Sequence, residues 1–429
     1  MRICFIADAR SPIARNWISW FVQRGHSVCV ISSYVTAGDC IPEAKIHCIP
    51  LLINQFARVR HNGTMANGAG SSGVSRLLAE FRTGQLAQIT NAIRYWAAPL
   101  ELRFHVTEVR AVLDAFRPDI VHAMRIPFEA ILAAKAGGGY PLLVSIWGND
   151  LTLHATDFRR VAQLTRTTLA RADALHCDCF RDSRLAAEKW GFDDSKPSVV
   201  LPGNGGVQMD MFFPGSPGSR LLASLGISAT APVVINPRGF RAYVRNDTFF
   251  KAIPAVLQKQ PDTIFVAVGM KDNPIADRWV KKLGIDSSIR LLGEMRREQM
   301  AELFRSAWIN LSITEHDGLP NTLVESLASG VFPVAGDIES IREWIEDGVN
   351  GLLVPPGDAD AVAAAVLRAI DDGELRRSAA LKNREAVEMR GDYAKIMPLA
   401  EKFYEKVIAF RSATSPGNTV RTRPAEQIE

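Results

Sequence analysis

The sequence predicts an α/β fold with two doubly wound domains, each built on a parallel sheet that helices cover on both faces. At 429 residues the chain is longer than one hydrophobic core usually supports, which is roughly 250–300 residues. Short, continuously apolar runs alternate with longer amphipathic stretches along nearly the whole chain. Continuous apolar runs are typical of strands buried on both faces, and repeated strand–helix–strand order indicates parallel sheets with right-handed crossovers. Two sets of about six such runs therefore indicate two domains.

The predicted strands divide the chain into two halves. In the first half they are Ile3–Ala7, Val28–Ile31, Ile120–Ala123, Leu142–Trp147, Ala174–Cys179 and Ser198–Leu201. In the second half they are Val233–Asn236, Thr263–Val268, Ile289–Leu292, Ile309–Ile313, Phe332–Ala335 and Gly351–Val354. Turn-forming residues cluster between Phe212 and Ser219, where the periodicity lapses. The first domain is therefore expected over residues 1–213 and the second over 220–392.

Residues 61–116 contain no predicted strand. The part 61–75 is rich in Gly, Ser and Asn and predicts a mobile loop. The part Leu77–Phe116 predicts mainly helix, which Pro99 should kink or divide. Its apolar stripe consists of Phe81, Tyr95, Trp96, Leu100 and Phe104. Such a stripe is usually core, and contact with an acceptor or a membrane surface is the alternative.

The end of the chain predicts one more helix and a tail. Apolar side chains from Ile396 to Phe410 keep helical spacing, which predicts a helix over 393–411. Residues 412–429 have no apolar face and are predicted to be disordered.

Composition excludes several classes of protein. With 50 Lys+Arg against 46 Asp+Glu, the net charge of +4 is too small to indicate a nucleic-acid partner. No run approaches the roughly 18 apolar residues that a membrane-spanning helix needs. The N-terminal run Ile3–Ala7 is too short for a signal peptide. A cytoplasmic location is expected, with peripheral contact at the inner face of the membrane kept open.

The six cysteines do not indicate a metal site. None of them forms a Cys-x-x-Cys pair. Cys177 and Cys179 flank Asp178 beside His176, but no second cluster at ligand spacing completes a coordination set. We expect reduced thiols and no structural metal.

The segment 308–330 is the most informative part of the chain. It predicts a strand, an acidic turn, and a helix that starts near Pro320, since proline suits a first helical turn. The free backbone N–H groups of that turn would cradle a phosphate. They belong to Asn321, Thr322 and Leu323.

Two carboxylates flank that helix start. Asp317 precedes the helix and Glu325 lies inside it, eight residues later. Such a pair can hold sugar and ribose hydroxyls on either side of a diphosphate, because carboxylates accept strongly and the helix N–H dipoles offset their repulsion of the anion. The alternative is an ordinary helix cap at Asp317 with a solvated Glu325. Spacing alone does not decide between the two.

These residues resemble the signature of the retaining glycosyltransferases of family 4, which have the GT-B fold. That signature is Glu-x(7)-Glu followed by a small-residue helix end and a strand. The matching stretches here are Asp317–Pro320, Glu325–Gly330, Val331–Val334, Gly336–Asp337, Ile341–Glu343, Asp347–Gly348, Asn350–Val354 and Pro356–Asp358. Asp317 stands where the family has its first Glu, and this shorter carboxylate could alter which sugar fits.

The resemblance implies two Rossmann-like domains facing a cleft, with the C-terminal helix crossing back to the first domain. It also implies transfer of a sugar, with retention, from a nucleotide-diphosphate sugar to a glycan, lipid-linked or small-molecule acceptor. The substrate would be a UDP-sugar or a GDP-sugar, and neither a cofactor nor a metal is expected. The first domain would select the acceptor, and the second would bind the donor.

The same resemblance assigns the diphosphate contacts. The family neutralises its leaving group with an Arg and a Lys at the end of a strand, and Arg238 matches the Arg. The Lys is absent, so Arg245 or Arg241 would have to replace it, since an arginine can clamp phosphate with two hydrogen bonds. Donor contact is also implied at Gly318, and catalytic roles at Arg238, Asp317 and Asp150.

In the first half the resemblance is carried by Ser145–Leu151, which is similar to the family's His-Gly-x-Asp segment in the cleft. Trp147 stands where many members have His, so any role there is shape or stacking. Asp150 would keep a polar contact with donor or acceptor, and a structural cap is the alternative. His122 is placed near the cleft, either as a satisfied strand-end histidine or as a catalyst.

Two other functions stay open at this point. One is a sugar-nucleotide epimerase of the same architecture, which lacks support from the run between Asp317 and Asp358. The other is a non-catalytic GT-B module that only binds a nucleotide sugar or a partner enzyme. Trp147 and the missing Lys are the best evidence for the module.

Overall fold

The computed structural model describes residues 1–36, 40–51, 85–215, 219–241 and 243–414. For helical residues 85–97, 99, 219 and 220 it describes the backbone only. The loop predicted at 61–75 and most of the predicted tail lie outside the described residues.

The first sheet contains seven parallel strands in the order β3-β2-β1-β4-β5-β6-β7 within the described residues. They are β1 Arg2–Ala7, β2 Ser27–Ser32, β3 Lys45–Cys48, β4 Ile120–Met124, β5 Leu142–Ile146, β6 Ala174–Cys177 and β7 Ser198–Val200. The six strands predicted for this half are confirmed. The additional edge strand β3 was missed because its residues are only half buried and its sequence is not continuously apolar.

In the part of the chain that the structure describes, the second sheet has the six parallel strands that were predicted, in the order β10-β9-β8-β11-β12-β13. They are β8 Val233–Asn236, β9 Ile264–Ala267, β10 Ile289–Leu291, β11 Ile309–Ser312, β12 Phe332–Gly336 and β13 Leu352–Val354. In each sheet the strand order reverses beside the first strand of the domain. Doubly wound sheets bind ligands at that point, beyond the carboxyl ends of the strands.

Helices connect the strands and cover both sheets. They are α1 Pro12–Gln23, α2 Gln85–Phe116, α3 Ile131–Ala136, α4 Ala155–Asp157, α5 Arg159–Arg171, α6 Phe180–Trp190, α7 Ser219–Ser224, α8 Asn246–Lys259, α9 Pro274–Leu283, α10 Arg297–Ser306, α11 Asn321–Ala328, α12 Glu339–Arg342, α13 Ala359–Asp371, α14 Gly373–Arg390 and α15 Tyr393–Thr414. Short irregular helical turns lie at Ile126–Ala130 and Asp150–His154. Each sheet has one apolar core on either face.

Helix α2 bears on two expectations. It continues through Pro99 without a break, so of the kink or division expected there the division is wrong. Leu100 and Phe104 are 48% and 82% exposed, so these two residues of the predicted stripe are not part of the core. The buried face is offset from them and consists of Ala98, Leu102, Val109 and Leu113. Phe81 and the side chains of Tyr95 and Trp96 lie outside the described residues.

Two residues assigned to the first domain pack on the second sheet. Val207 and Phe212 are buried in the core of the second sheet, although both were assigned to the first domain. The chain therefore reaches the second core before the turn-rich stretch that suggested a boundary near 213. Turn composition marks where the backbone bends, whereas burial of these two side chains decides which core they join.

Helix α15 crosses back to the first domain, as the resemblance implied. Its residues Met397, Phe403 and Val407 are buried in a core of the first sheet. The helix ends at Thr414, three residues beyond the predicted end. The hydroxyls of Ser412 and Thr414 donate to carbonyls one turn back, which satisfies polar side chains within a helix that has lost its apolar face. Residues 415–429 lie outside the described residues.

None of the helices in the described ranges is both long enough and apolar enough to cross a bilayer.

Candidate functional site

Arg238 forms the centre of the site at the carboxyl end of β8. Its guanidinium makes an ion pair with Asp317, and it also donates to the Tyr243 hydroxyl at 3.3 Å. The Arg238 backbone N–H donates to the Asn236 side chain at 3.1 Å, which fixes the turn after the strand. Burial acts to lower the pKa of Arg238, but the Asp317 carboxylate and the Tyr243 hydroxyl outweigh it and raise the pKa. The structure thus joins Arg238 and Asp317, which are 79 residues apart in the chain.

The start of α11 offers two free donors at this point. The helix begins at Asn321 after Pro320. In the part of the chain that the structure describes, the N–H groups of Asn321 and Thr322 have no protein acceptor. The expectation for Leu323 is wrong, because its N–H donates to the Pro320 carbonyl at 2.9 Å in a tight first turn.

Asp317 is not a helix cap and Glu325 is not solvated, so neither carboxylate has the alternative role that its spacing left open. Asp317 does not cap α11, since its Oδ1 accepts from the N–H of Gly318 at 3.1 Å and the residue at the cap position is Pro320. Glu325 is not solvated: it is 8% exposed, and burial raises its pKa to about 7. The partner of Glu325 is Arg297, at 3.6 Å.

Neither candidate for the missing lysine contacts the Arg238–Asp317 pair. Arg245 pairs with Asp247 at 2.8 Å and also with Glu315. The hydrogen bonds that Arg245 donates to those carboxylates raise its pKa. Arg241 is exposed and makes no ion pair with a described residue. The choice between the two arginines therefore stays a prediction.

Asp150 holds the backbone of the first-domain loop around Trp147 by hydrogen bonds. It is completely buried, and its carboxylate accepts from Arg125 Nε at 3.1 Å and from the N–H groups of Trp147 at 3.1 Å and Ile126 at 3.2 Å. Burial raises the pKa of Asp150, and these partners oppose that effect. The structure does not show the direct substrate contact expected of Asp150, because protein atoms cover the whole side chain.

The loops of the two domains touch at a pair of glycines. A Cβ on Gly148 would lie 2.6 Å from the Gly318 backbone nitrogen, and a Cβ on Gly318 would collide with the Asp178 carboxylate. We call this contact the domain seam, formed by Gly148, Asp178 and Arg181 from the first domain and by Asp317 and Gly318 from the second. The seam shows that the carboxyl ends of the two sheets face each other across a cleft.

Arg181 ties the seam together. Its guanidinium donates to the carbonyls of Gly148 and Asp317, each at 2.7 Å, and to the Ser340 hydroxyl at 3.1 Å. It also pairs with Asp182 at 2.8 Å. One buried arginine therefore satisfies backbone acceptors on both domains.

A second interdomain contact caps helix α6. The Glu343 carboxylate accepts from the N–H groups of Phe180 and Arg181, both at 2.9 Å. A carboxylate is favourable at a helix N-terminus because of the unpaired N–H groups there. Beside it, Arg184 pairs with Glu339 at 2.8 Å. Sequence reasoning missed this cap because a capping residue normally precedes its own helix, whereas Glu343 comes from the other domain.

One group of side chains has a geometry that a metal ion could use. The ligand atoms of Asp178, Cys179 and Asp182 lie within 4.8 Å of one another, all buried. Burial raises the pKa of Asp182 to about 6 and that of Asp178 well above its ordinary range. The Arg181 guanidinium already donates to Asp182, and a cation there disfavours a second one.

Two family models match the chain in succession. Residues 11–203 match the glycosyl transferase 4-like domain, and residues 232–372 match the glycosyl transferases group 1. The chain belongs to the group 1 glycosyltransferases of family 4 type. This assignment agrees with the resemblance found in the motif around Asp317 and Glu325.

Two curated relatives show how much of the chain is similar in sequence to proteins of this family. The D-inositol 3-phosphate glycosyltransferase of Nocardiopsis dassonvillei is 25% identical over 258 residues, which cover 57% of each chain. The phosphatidyl-myo-inositol mannosyltransferase of Mycolicibacterium smegmatis is 31% identical over 160 residues, which cover 36% of this chain and 40% of the relative. The matched part thus spans about half the length of the curated relatives.

Solved structures of the GT-B type share the fold. Anabaena HepE in complex with UDP-glucose superimposes with a TM-score of 0.71 at 15% identity, over 95% of this chain and all of the other. Sucrose-phosphate synthase from Thermosynechococcus elongatus gives 0.68 at 14% identity, over 95% and 99%. At these identities the likeness concerns the fold alone.

His122 lies in the core of this glycosyltransferase-family chain and not in its cleft. It is completely buried on β4, and its ring nitrogens contact the hydroxyls of Tyr404 and Ser145. Ser145 in turn contacts His176 at 2.7 Å. We call Tyr404, His122, Ser145 and His176 the buried histidine relay. Of the two interpretations of His122, the satisfied strand histidine is the one that the structure supports.

The hydrogen-bond directions in the relay are determined from one end. His176 Nε2 lies 2.9 Å from the Leu201 carbonyl, which can only accept, so Nε2 carries a hydrogen. In a neutral ring His176 Nδ1 then accepts from Ser145, and the Ser145 oxygen accepts from His122 Nε2. His122 Nδ1 accepts from the Tyr404 hydroxyl. Every polar group in the relay is hydrogen-bonded when both rings are neutral. A proton added to either ring would create an N–H group that faces a hydroxyl hydrogen and has no acceptor.

Acid is therefore expected to destabilise the protein through His176. Burial lowers the pKa of His176 to about 4, whereas an exposed histidine titrates near about 6.5. Between these values the unfolded chain binds more protons, so the free energy of unfolding falls as the pH falls. We expect the melting temperature to drop more steeply from about pH 7 to about pH 5 in the wild type than in a His176→Gln variant.

Comparing how steeply the melting temperature falls with pH in the two proteins separates the titration of the His176 ring from that of other groups. Burial raises the pKa of Glu129 and of Glu325 to about 7, and these carboxyls act in the opposite sense over the same pH range. Both are present in the wild type and in the variant, so their contribution cancels. Equal slopes for the two proteins would contradict the neutral relay.

Proposed function

We propose that the protein transfers a sugar from a nucleotide-diphosphate sugar to a hydroxyl acceptor, with retention at the anomeric carbon. The observation that carries this proposal is the Arg238–Asp317 pair beside the start of α11. A guanidinium, two free N–H groups and a carboxylate meet there at the point where a doubly wound sheet binds ligands. Family membership supports the same activity.

The charges suit a departing diphosphate. Negative charge on the leaving group grows as the glycosidic bond breaks, and Arg238 with the α11 N-terminus would stabilise that charge. Asp317 satisfies Arg238 in this structure. When a donor binds, the phosphate would take over Arg238 and Asp317 would accept from a sugar hydroxyl. Positive charge is thus supplied without a metal, and none is part of the proposal.

The substrates are proposed by class. HepE is described with UDP and with UDP-glucose, which supports a nucleoside diphosphate sugar as donor. The relatives are named for inositol phosphate and phosphatidylinositol acceptors, which supports a small-molecule or lipid-linked acceptor. We propose that the reaction takes place in the cytoplasm, with a lipid-linked acceptor reached at the inner face of the membrane.

A thermal-shift panel followed by a turnover assay tests the activity. UDP-, GDP- and ADP-sugars are compared, because a ligand that binds only the folded state raises the melting temperature. The donor that stabilises the protein is then incubated with it to measure release of the nucleoside diphosphate. Binding with no release and no transfer would favour the non-catalytic module, and absence of binding would refute the proposal.

Glu325 is expected to contribute to donor binding. If its buried carboxylate holds the ribose, Glu325→Ala should weaken nucleotide-sugar binding by about 1.5–3 kcal/mol, the range for hydrogen bonds to charged groups. Calorimetry measures this loss. Glu374→Ala is the control, because Glu374 is exposed and pairs only with Arg377 among the described residues. Unchanged donor affinity in the Glu325 variant would remove Glu325 from the site.

A further inference from the structure

Asp178 is a buried carboxyl at the domain seam that sequence reasoning did not single out as a site residue. It follows β6 directly at the carboxyl edge of the first sheet and is 8% exposed. Its Oδ2 accepts from the Gly148 N–H at 3.3 Å. Its Oδ1 is buried and has no hydrogen-bond partner within the described ranges. The carboxyl lies against Gly318 so closely that a Cβ there would collide with it.

A second unpartnered polar atom lies beside it. The Nε1 of Trp147 is buried and has no acceptor among the residues that the structure describes. Both side chains flank Gly203: a Cβ at that position would lie 3.7 Å from Trp147 Cδ1 and 3.5 Å from Asp178 Cβ. An acceptor and a donor, both left unpaired, thus occupy the first-domain wall of the seam.

Leaving such groups unpaired is costly. A buried polar atom without a partner loses its hydration and gains nothing in return. Burial raises the pKa of Asp178 well above its ordinary range, and the carboxylates of Asp182 and Asp317 add to that effect. Native structures pair the great majority of such atoms with protein, water or a ligand. These two lie together at the carboxyl edge of a doubly wound sheet, where such sheets bind ligands.

We propose that Asp178 binds a hydroxyl of the transferred sugar from the first-domain side, opposite Asp317, with the Trp147 indole N–H as a second contact. The proposal rests on the proposed function, since it requires the sugar of the donor to lie in the seam. It makes Asp178 a specificity-determining residue for that sugar.

The charge distribution favours a neutral polyol at this place. Arg238 and the free N–H groups of α11 attract the diphosphate on the second domain. The Asp178 carboxyl, whose pKa burial raises, offers no positive charge to an anion. Sugar hydroxyls both donate and accept, so they suit a carboxyl and an indole N–H together. The nucleoside diphosphate and the sugar would thus bind to separate sets of residues. The sugar would displace the contact between Asp178 and Gly318.

Separate binding sets allow a test that compares two ligands. Calorimetry is carried out with the nucleoside diphosphate alone and with its sugar conjugate, on the full chain. In Asp178→Ala we expect wild-type affinity for the nucleoside diphosphate and a loss of about 10- to 100-fold for the nucleotide sugar. Asp178→Asn, which preserves the shape and one acceptor, should lose less. Trp147→Phe should also weaken only the nucleotide sugar.

The control is Asp173→Asn. Asp173 is equally buried at 8% and precedes the same strand at its opposite end, where it accepts from the Leu142 N–H at 2.9 Å. This variant should bind both ligands like the wild type. Retained affinity for the nucleoside diphosphate also shows that each Asp178 variant is folded. If Asp178→Ala binds neither ligand, the test uses Asp178→Asn instead. A lower ratio of nucleotide-sugar affinity to nucleoside-diphosphate affinity than in the wild type then supports the inference, and an unchanged ratio overturns it.

Two results would overturn the inference. One is an unchanged ratio of the two affinities in Asp178→Ala. The other is a wild-type protein that binds the nucleoside diphosphate but gains no affinity from any sugar. Failure of the wild type to bind any nucleotide is a different result, because it refutes the proposed function itself and the inference with it.

Discussion

Replacing Arg238 with alanine is expected to lower turnover by roughly 10²–10³-fold, the scale seen when one charge-stabilising donor is removed. The reason is that charge on the diphosphate grows as the glycosidic bond breaks, so the contact strengthens along the reaction coordinate. Donor binding should weaken less than turnover, because the Arg238 contact is stronger in the transition state than in the bound donor. Loss of a contact that is equally strong in both would change only the Michaelis constant. The measurement is turnover at saturating donor and acceptor.

Two further variants sharpen this prediction. Arg238→Lys should recover part of the turnover, since a point charge cannot reproduce the planar guanidinium fork that reaches both Asp317 and Tyr243. Arg342→Ala is the control, because Arg342 is 62% exposed at its side chain and pairs only with Asp337 in the part described. Wild-type turnover in Arg238→Ala would show that the leaving group is held elsewhere. Melting temperatures check that Asp317, left without its partner, does not unfold the protein.

Replacing Ser145 with alanine is expected to lower the free energy of unfolding by about 2–6 kcal/mol. The Ser145 hydroxyl is the only group that joins His122 Nε2 to His176 Nδ1 among the described residues. Without it, one buried donor and one buried acceptor lose their partners, and each such loss costs about 1–3 kcal/mol. Denaturant unfolding measures the change.

A second buried serine provides the control. Ser312 is 2% exposed on β11, and its hydroxyl has no hydrogen-bond partner in the described residues. Ser312→Ala removes the same atom without breaking a bond, so stability should stay the same or rise slightly. Equal effects at both positions would show that the relay contributes nothing beyond the packing of its side chains.

The sequence predicted well those features that depend on neighbouring residues. Among the described residues, continuous apolar runs identified every strand except β3, because strands covered on both faces need apolar side chains at each position. The half-buried edge strand β3 lacks that signal. The motif around Asp317 and Glu325 likewise lies within one strand–turn–helix unit. Its chemistry could therefore be predicted from local sequence, apart from Leu323, whose N–H the tight turn at Pro320 takes up.

The tertiary structure decided which residues from the first domain meet that motif. Arg181 reaches the Asp317 carbonyl across 136 residues, and Glu343 caps α6 across 163. Asp178 and Asp150 look alike in the sequence, yet one has an unpaired oxygen at the seam and the other is fully bonded beneath its loop. Local sequence determines periodicity and turn geometry. The partner of a buried charge is determined only when two distant segments are brought together and water is excluded between them.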